Sequence, residues 1–154
     1  MAKSVVPTQI HALIPTNAGT AVFLGSGEKV FTIYIDQGMA GTISAYLARQ
    51  ETERPLTHDL LLSALTALGA RVERVVISDL RNGIFFARII LAAENELMQR
   101  KIVELDARTS DGMAIAVLAR APLYVSRAVL DEVEDTSDLL KRLQAAQEPD
   151  SPEP

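Results

Sequence analysis

Along the 154 residues, the spacing of apolar positions changes period several times. Residues 5–13, 20–24 and 29–36 are short runs rich in Val, Ile, Phe and Tyr. They are parted by Pro15-Thr16-Asn17 and Gly25-Ser26-Gly27, and the pattern predicts three strands. Residues 38–50 then place Met39, Ile43, Tyr46 and Leu47 near helical spacing, and residues 57–68 do the same with Leu61, Leu65 and Leu68 before Gly69. Two further apolar runs, 71–80 and 84–93, flank Asn82-Gly83. That dipeptide readily adopts the positive φ angles of a tight hairpin turn.

Residues 99–106 predict another strand, carried by Ile102, Val103 and Leu105, and residues 110–120 a helix. Residues 113–119 are apolar all round, and a helix without a polar face belongs in the middle of the core. Pro122-Leu123-Tyr124-Val125 adds a short strand, residues 131–143 a charged surface helix, and beyond Gln144 the composition predicts disorder. Strands that hairpin with one another more than they alternate with helices indicate an α+β fold. The expectation is one compact domain over residues 1–130: a mostly antiparallel or mixed sheet, a central apolar helix and flanking helices. An acidic helix and tail then follow over residues 131–154.

Composition narrows the chemistry. There is no Cys, which excludes disulfides, thiolate catalysis and Cys-built zinc or iron–sulfur sites. No apolar stretch near the start has signal-peptide or membrane-spanning length, so a cytoplasmic location with no membrane partner is expected. The net charge of −5 argues against strong nucleic-acid binding. Its distribution softens that objection: residues 1–130 carry 13 basic and 12 acidic side chains, whereas residues 131–154 carry 2 basic and 8 acidic ones. The acidity belongs to the tail.

Two polar segments interrupt the apolar pattern, Arg54-Pro55-Leu56-Thr57-His58-Asp59 and Leu105-Asp106-Ala107-Arg108-Thr109-Ser110-Asp111. Each gathers an arginine, a hydroxyl and a carboxylate where a helix begins. Helix starts present free N–H groups and a partial positive charge, hence a site for an anion such as phosphate. Thr57 and Ser110 are placed to cap the two helices, with Asp59 and Asp111 in their first turns. Asp106 and Arg108 alternate at a strand end and share one face. Capping alone accounts for much of this composition. If the two helix starts line one cleft, His58 as general base, Asp59, Asp106 or Asp111 on a divalent cation, and Arg54 or Arg108 on a phosphate suffice for phosphodiester hydrolysis. His11 reads as structural. Gly25-Ser26-Gly27 is too short for a phosphate loop, and Phe85, Phe86 and Arg88 read as a hairpin's core strand rather than a stacking platform.

At these same residues the chain resembles the bifunctional nucleases, named for hydrolysing both DNA and RNA. Residues 54–60 look like the family's most recognisable motif. Residues 106–116, beginning Asp106-Ala107-Arg108-Thr109-Ser110-Asp111, resemble its second, usually Asp-x-Arg-Pro-Ser-Asp-Ala. Ala121-Pro122-Leu123-Tyr124-Val125 also fits. Thr109 stands where the family usually has Pro. After the strand ending at Ile35, family members commonly show Gly and then a Glu at the next helix start; here the segment is Asp36-Gln37-Gly38-Met39-Ala40. The resemblance implies a wedge-shaped α+β homodimer and a low-specificity DNase and RNase. Its catalytic groups would be His58, Asp59, Asp106 and Asp111, its substrate contacts Arg54, Thr57, Arg108 and Ser110, and its cofactor a divalent cation (Mg or Mn) rather than an organic group. The alternative is a non-catalytic dimeric binding or regulatory module with an anion-binding groove.

Overall fold

The computed structural model describes residues 4–147. Seven strands form one sheet: β1 (Val5–Thr16), β2 (Gly19–Gly25), β3 (Val30–Ile35), β4 (Ala70–Arg81), β5 (Ile84–Glu94), β6 (Arg100–Arg108) and β7 (Leu123–Ser126). Their spatial order is β3-β2-β1-β7-β4-β5-β6. All neighbours run antiparallel except β4 and β7. Five helices complete the fold: α1 (Gln37–Leu47), α2 (Thr57–Ala67), α3 (Thr109–Ala119), α4 (Arg127–Glu132) and α5 (Ser137–Gln147). This is the expected α+β architecture. Among the described residues no helix is long and apolar enough to cross a membrane.

The hairpin at Asn82-Gly83 forms with positive φ at both residues, 51° and 77°. These values suit a primed turn, whose twist matches that of the flanking strands. Bulges interrupt β1 between Ile10 and Ala12, and β4 at two places. Each adds local bend and twist. The result is a strongly curled sheet: Phe31 on β3 and Phe85 on β5 bring their rings to 6.2 Å although four strands lie between them.

Inside that curl lies α3. Gly112, Met113, Ala114, Ile115 and Ala116 are all buried, as a helix without a polar face requires. It packs on α1, α2, β4 and β5. Gly112 makes the close approach feasible, because a Cβ there would stand 3.1 Å from Val75 Cγ1 and 3.4 Å from Ala87 Cβ. His11 sits at the β1 bulge with its ring over Gly25, where a Cβ would overlap it, which fits the structural reading of this residue.

Three local features differ from the sequence expectation. The helix expected over residues 131–143 is two helices, α4 and α5, with a break before Ser137. Asp135 makes that break: its carboxylate accepts from the Val30 and Ser137 N–H groups and the Ser137 hydroxyl, while Thr136 N–H donates to Val30 O at 2.7 Å. Nor is α5 merely a charged surface helix. It lays Leu139, Leu140 and Leu143 against Ile14, Ala21 and Phe23 on the outer face of the sheet. Lastly, it extends to Gln147, three residues beyond the expected onset of disorder; the expected tail beyond that lies outside the described residues.

Candidate active site

The segments at 54–59 and 106–111 open α2 and α3, and they occupy matching helical positions. Leu56 and Arg108 are the residues preceding the first turn, Thr57 and Thr109 open it, His58 and Ser110 follow, and Asp59 and Asp111 stand third. Neither Thr57 nor Ser110 is the cap expected from sequence. Each lies one or two positions inside its helix, and neither Leu56 nor Arg108 offers a side-chain cap.

The two third-position carboxylates diverge in role. Asp59 turns back on its own helix, where Oδ2 accepts from Leu56 N–H at 2.9 Å and from the Tyr46 hydroxyl at 3.0 Å. It thereby supplies the acidic half of a capping box and ties α1 to α2. Asp111 instead reaches between helices. Its Oδ1 lies 2.9 Å from His58 Nε2, and its Oδ2 accepts from Arg108 Nε at 2.8 Å. The starts of α2 and α3 therefore do meet, through a chain running His58, Asp111, Arg108.

Electrostatics within this chain follow from the geometry. Burial alone would push the Asp111 carboxyl up, but the hydrogen bonds from Arg108 and then His58 outweigh it and hold the group below the usual carboxylate range. Asp111 is thus an anion at neutral pH. Paired with it, His58 Nε2 is the donor, so the imidazole tautomer with a free Nδ1 lone pair is favoured. The histidine side chain is only 13% exposed, and its ring meets Tyr46 edge-on at 6.4 Å. Arg108 is mostly exposed and engages Asp111 through Nε alone, which leaves its terminal nitrogens for another anion. Asp36 caps α1, accepting from Met39 N–H at 2.8 Å, and its charge also favours the Arg108 cation.

The remaining expected site residues are dispersed. Asp106 is exposed on β6, on the face of the strand shared with Glu104 and Arg108, as alternation predicts, and it has no hydrogen-bond or ion-pair partner among the described residues. Arg54 is an exposed loop residue whose carbonyl accepts from Thr52. Among the described residues no three His, Asp or Glu side chains converge as a metal-ligand group. A divalent cation would have only Asp111 to rest on here, and both oxygens of that carboxylate are already engaged, by His58 and Arg108.

Tyr46 was missed as a site residue. Its helical spacing marked it only as part of the apolar face of α1, and nothing local to residue 46 points to Asp59. Burial first, and then the Asp59 hydrogen bond, push its phenol up to about 12. Behind the Tyr46–Asp59 pair opens a cavity of about 700 Å³ lined also by Arg49, Ser63 and Arg120. A second cavity of about 380 Å³ adjoins the start of α3 at Thr109 and Ser110.

A match to the family model of the bifunctional nuclease domain covers residues 22–138, which takes in both helix starts. The chain is also similar to uncharacterized proteins from two strains of Mycobacterium tuberculosis, each 35% identical over 117 residues, covering 73% of this chain. It spans 66% of the length of those relatives. Matched over most of its described residues, with both motifs inside the match, the chain belongs to the bifunctional nuclease domain family.

Proposed function

We propose that this protein hydrolyses phosphodiester bonds of DNA and RNA at the junction of α2 and α3. The observation that carries the reading is the His58–Asp111–Arg108 chain, set where two helix N-termini meet. An anionic carboxylate orients the imidazole, and the free Nδ1 accepts a proton from the water that attacks phosphorus. The P–O bond to one sugar oxygen breaks, and that oxygen leaves as a hydroxyl after taking a proton from solvent. The uncommitted nitrogens of Arg108 with the N–H groups opening α3 receive the phosphate. A divalent cation on Asp111 would further neutralise charge developing on the phosphate oxygens. It would compete there with Arg108.

The reading extends to a homodimer. Leu60 and Leu61 on α2 and Leu68 just past its end are exposed, Leu68 by 81%, and an exposed leucine surface of this kind supports self-association.

The test is cleavage of labelled DNA and RNA oligonucleotides by purified protein, with and without added Mg²⁺ or Mn²⁺. His58→Ala and Asp111→Asn are each expected to reduce kcat by at least about 100-fold, the ordinary scale for loss of a general base. Asp59→Asn is expected to act chiefly on stability, because its contacts are a helix cap and Tyr46. Full activity in folded His58→Ala would refute the mechanism. Saturable binding of oligonucleotides without cleavage would favour the non-catalytic module instead.

A further inference from the structure

The cavity of about 380 Å³ beside the start of α3 is bounded by β3 from Thr32 to Ile35 and by Asp36 at the cap of α1, by Gly83, Ile84 and Phe85 at the β4–β5 turn, and by Thr109 and Ser110. Three features of its wall point to a ligand. First, β3 is an edge strand. Val30 directs its N–H to Asp135 and its C=O to Thr136, away from β2. By the two-residue period of a strand, the backbone groups of Thr32 and Tyr34 also face off the sheet, and they have no partner among the described residues. Second, Thr109 is only 6% exposed, yet its hydroxyl has no hydrogen-bond partner among the described residues. Buried polar atoms are rarely left so. Third, Ile84 and Phe85 give the cavity an apolar and aromatic side, and Ile84 is 62% exposed.

A flat ring that presents hydrogen-bonding edges and apolar faces fits this combination better than a sugar or a bare anion does. Position adds to composition. Ser110 belongs both to the cavity and to the first turn of α3, immediately before Asp111, so a ligand in the cavity adjoins the Arg108 end of the phosphate site. We infer that this cavity is a nucleobase pocket, which holds the base of the nucleotide whose phosphate sits at Arg108 and the start of α3. The inference rests on the phosphate reading of that helix start and adds what stands next to the phosphate. The unpaired Thr109 hydroxyl and the free edge of β3 supply donors and acceptors, and Ile84 and Phe85 supply the contact for a ring face. A base reaches such a pocket only when it is out of the duplex stack.

The experiment compares two probes on the full chain by titration calorimetry: adenosine 5′-monophosphate and ribose 5-phosphate, which differ only in the base. The nucleotide is expected to bind about tenfold more tightly, in line with one stacked base. Ile84→Ala, at an exposed position that leaves the fold intact, and Thr109→Val, which removes only the buried hydroxyl, are each expected to shrink that ratio toward unity. Affinity for ribose 5-phosphate should stay unchanged in both. Arg108→Ala should weaken both probes. Equal affinity for the two probes in the unaltered protein, with both weakened by Arg108→Ala, would overturn the base pocket and leave the phosphate site standing. Absence of binding by either probe would overturn both, and a preference that survives both pocket variants would overturn the assignment to this cavity.

Discussion

Thr109 offers a quantitative test of how α3 enters the core. It is the first helical residue, it is buried, and its hydroxyl has no partner among the described residues. A buried hydroxyl left unsatisfied costs about 1–3 kcal/mol. Thr109→Val keeps the shape and removes the polar atom, so a gain of about 1 kcal/mol is expected. Thr109→Pro goes further. The N–H of a first helical residue has no intrahelical acceptor to lose. Arg108 already holds φ −62° and ψ 144°, the extended region that a residue preceding proline prefers. Restricting the unfolded chain at a compatible site adds about 0.4–1 kcal/mol. At roughly 2–4 °C per kcal/mol for a chain of this size, Thr109→Val should raise Tm by about 2–4 °C and Thr109→Pro by about 3–8 °C. Differential scanning calorimetry, with urea unfolding to confirm that the m value is unchanged, reads the effect. Unchanged or lower stability in both variants would show that the hydroxyl is already satisfied and that the entry of α3 does not suit proline. The stabilised Thr109→Val protein is also the one expected to lose base preference, so stability and recognition should move in opposite directions at this residue.

The Tyr46 phenol should ionise at about 12, against about 10 for ordinary tyrosine, as followed by near-ultraviolet absorbance, and Asp59→Asn should bring it back down. Because the folded value lies above the unfolded one, the stability this contributes is complete below pH ~10 and disappears as the pH rises toward 12; alkaline unfolding that ignores Asp59→Asn would contradict that linkage. Gly112→Ala should lower stability by about 1–3 kcal/mol in urea unfolding despite the better helix propensity of alanine, since the added methyl presses on Val75 and Ala87. Removing residues 148–154, which hold three acidic side chains and leave α5 in place, should tighten oligonucleotide binding at low salt and have no effect at high salt. Binding at low salt that truncation leaves unchanged would make the segment merely solubilising.

Much of the fold could be read from residues close together in the chain. The runs rich in Val, Ile, Phe and Tyr of β1 to β3, the Asn82-Gly83 turn and the apolar run in α3 each state a local requirement that one element satisfies alone, and each element formed within a few residues of its expected bounds. Polar clusters at 54–59 and 106–111 were legible for the same reason, because a helix start draws hydroxyls and carboxylates whatever its purpose. Local pattern also carried the expectation too far. Thr57 and Ser110 looked like caps from spacing alone, yet each fell inside its helix.

The sequence by itself thus determined most of the elements up to β7, that α3 must be central, and where polar groups collect, whereas the division of the last helix into α4 and α5 came from the contact of Asp135 and Thr136 with β3. Tertiary structure decided which of those groups act together. Asp59 and Asp111 stand at equivalent positions of two helices, and nothing local distinguishes them. What separates them is the neighbour each meets. Tyr46 of α1 and the Leu56 N–H hold Asp59, while the curl of the sheet around α3 carries Asp111 to His58, 53 residues away. Contacts of such range depend on bulges, sheet curvature and loop closure throughout the domain, and a short window of sequence does not contain them. The same holds at the edge of β3. Thr136 and Asp135 cover its first residue, whereas the part beside Thr109 is left open. Whether a strand edge is covered depends on where distant segments pack.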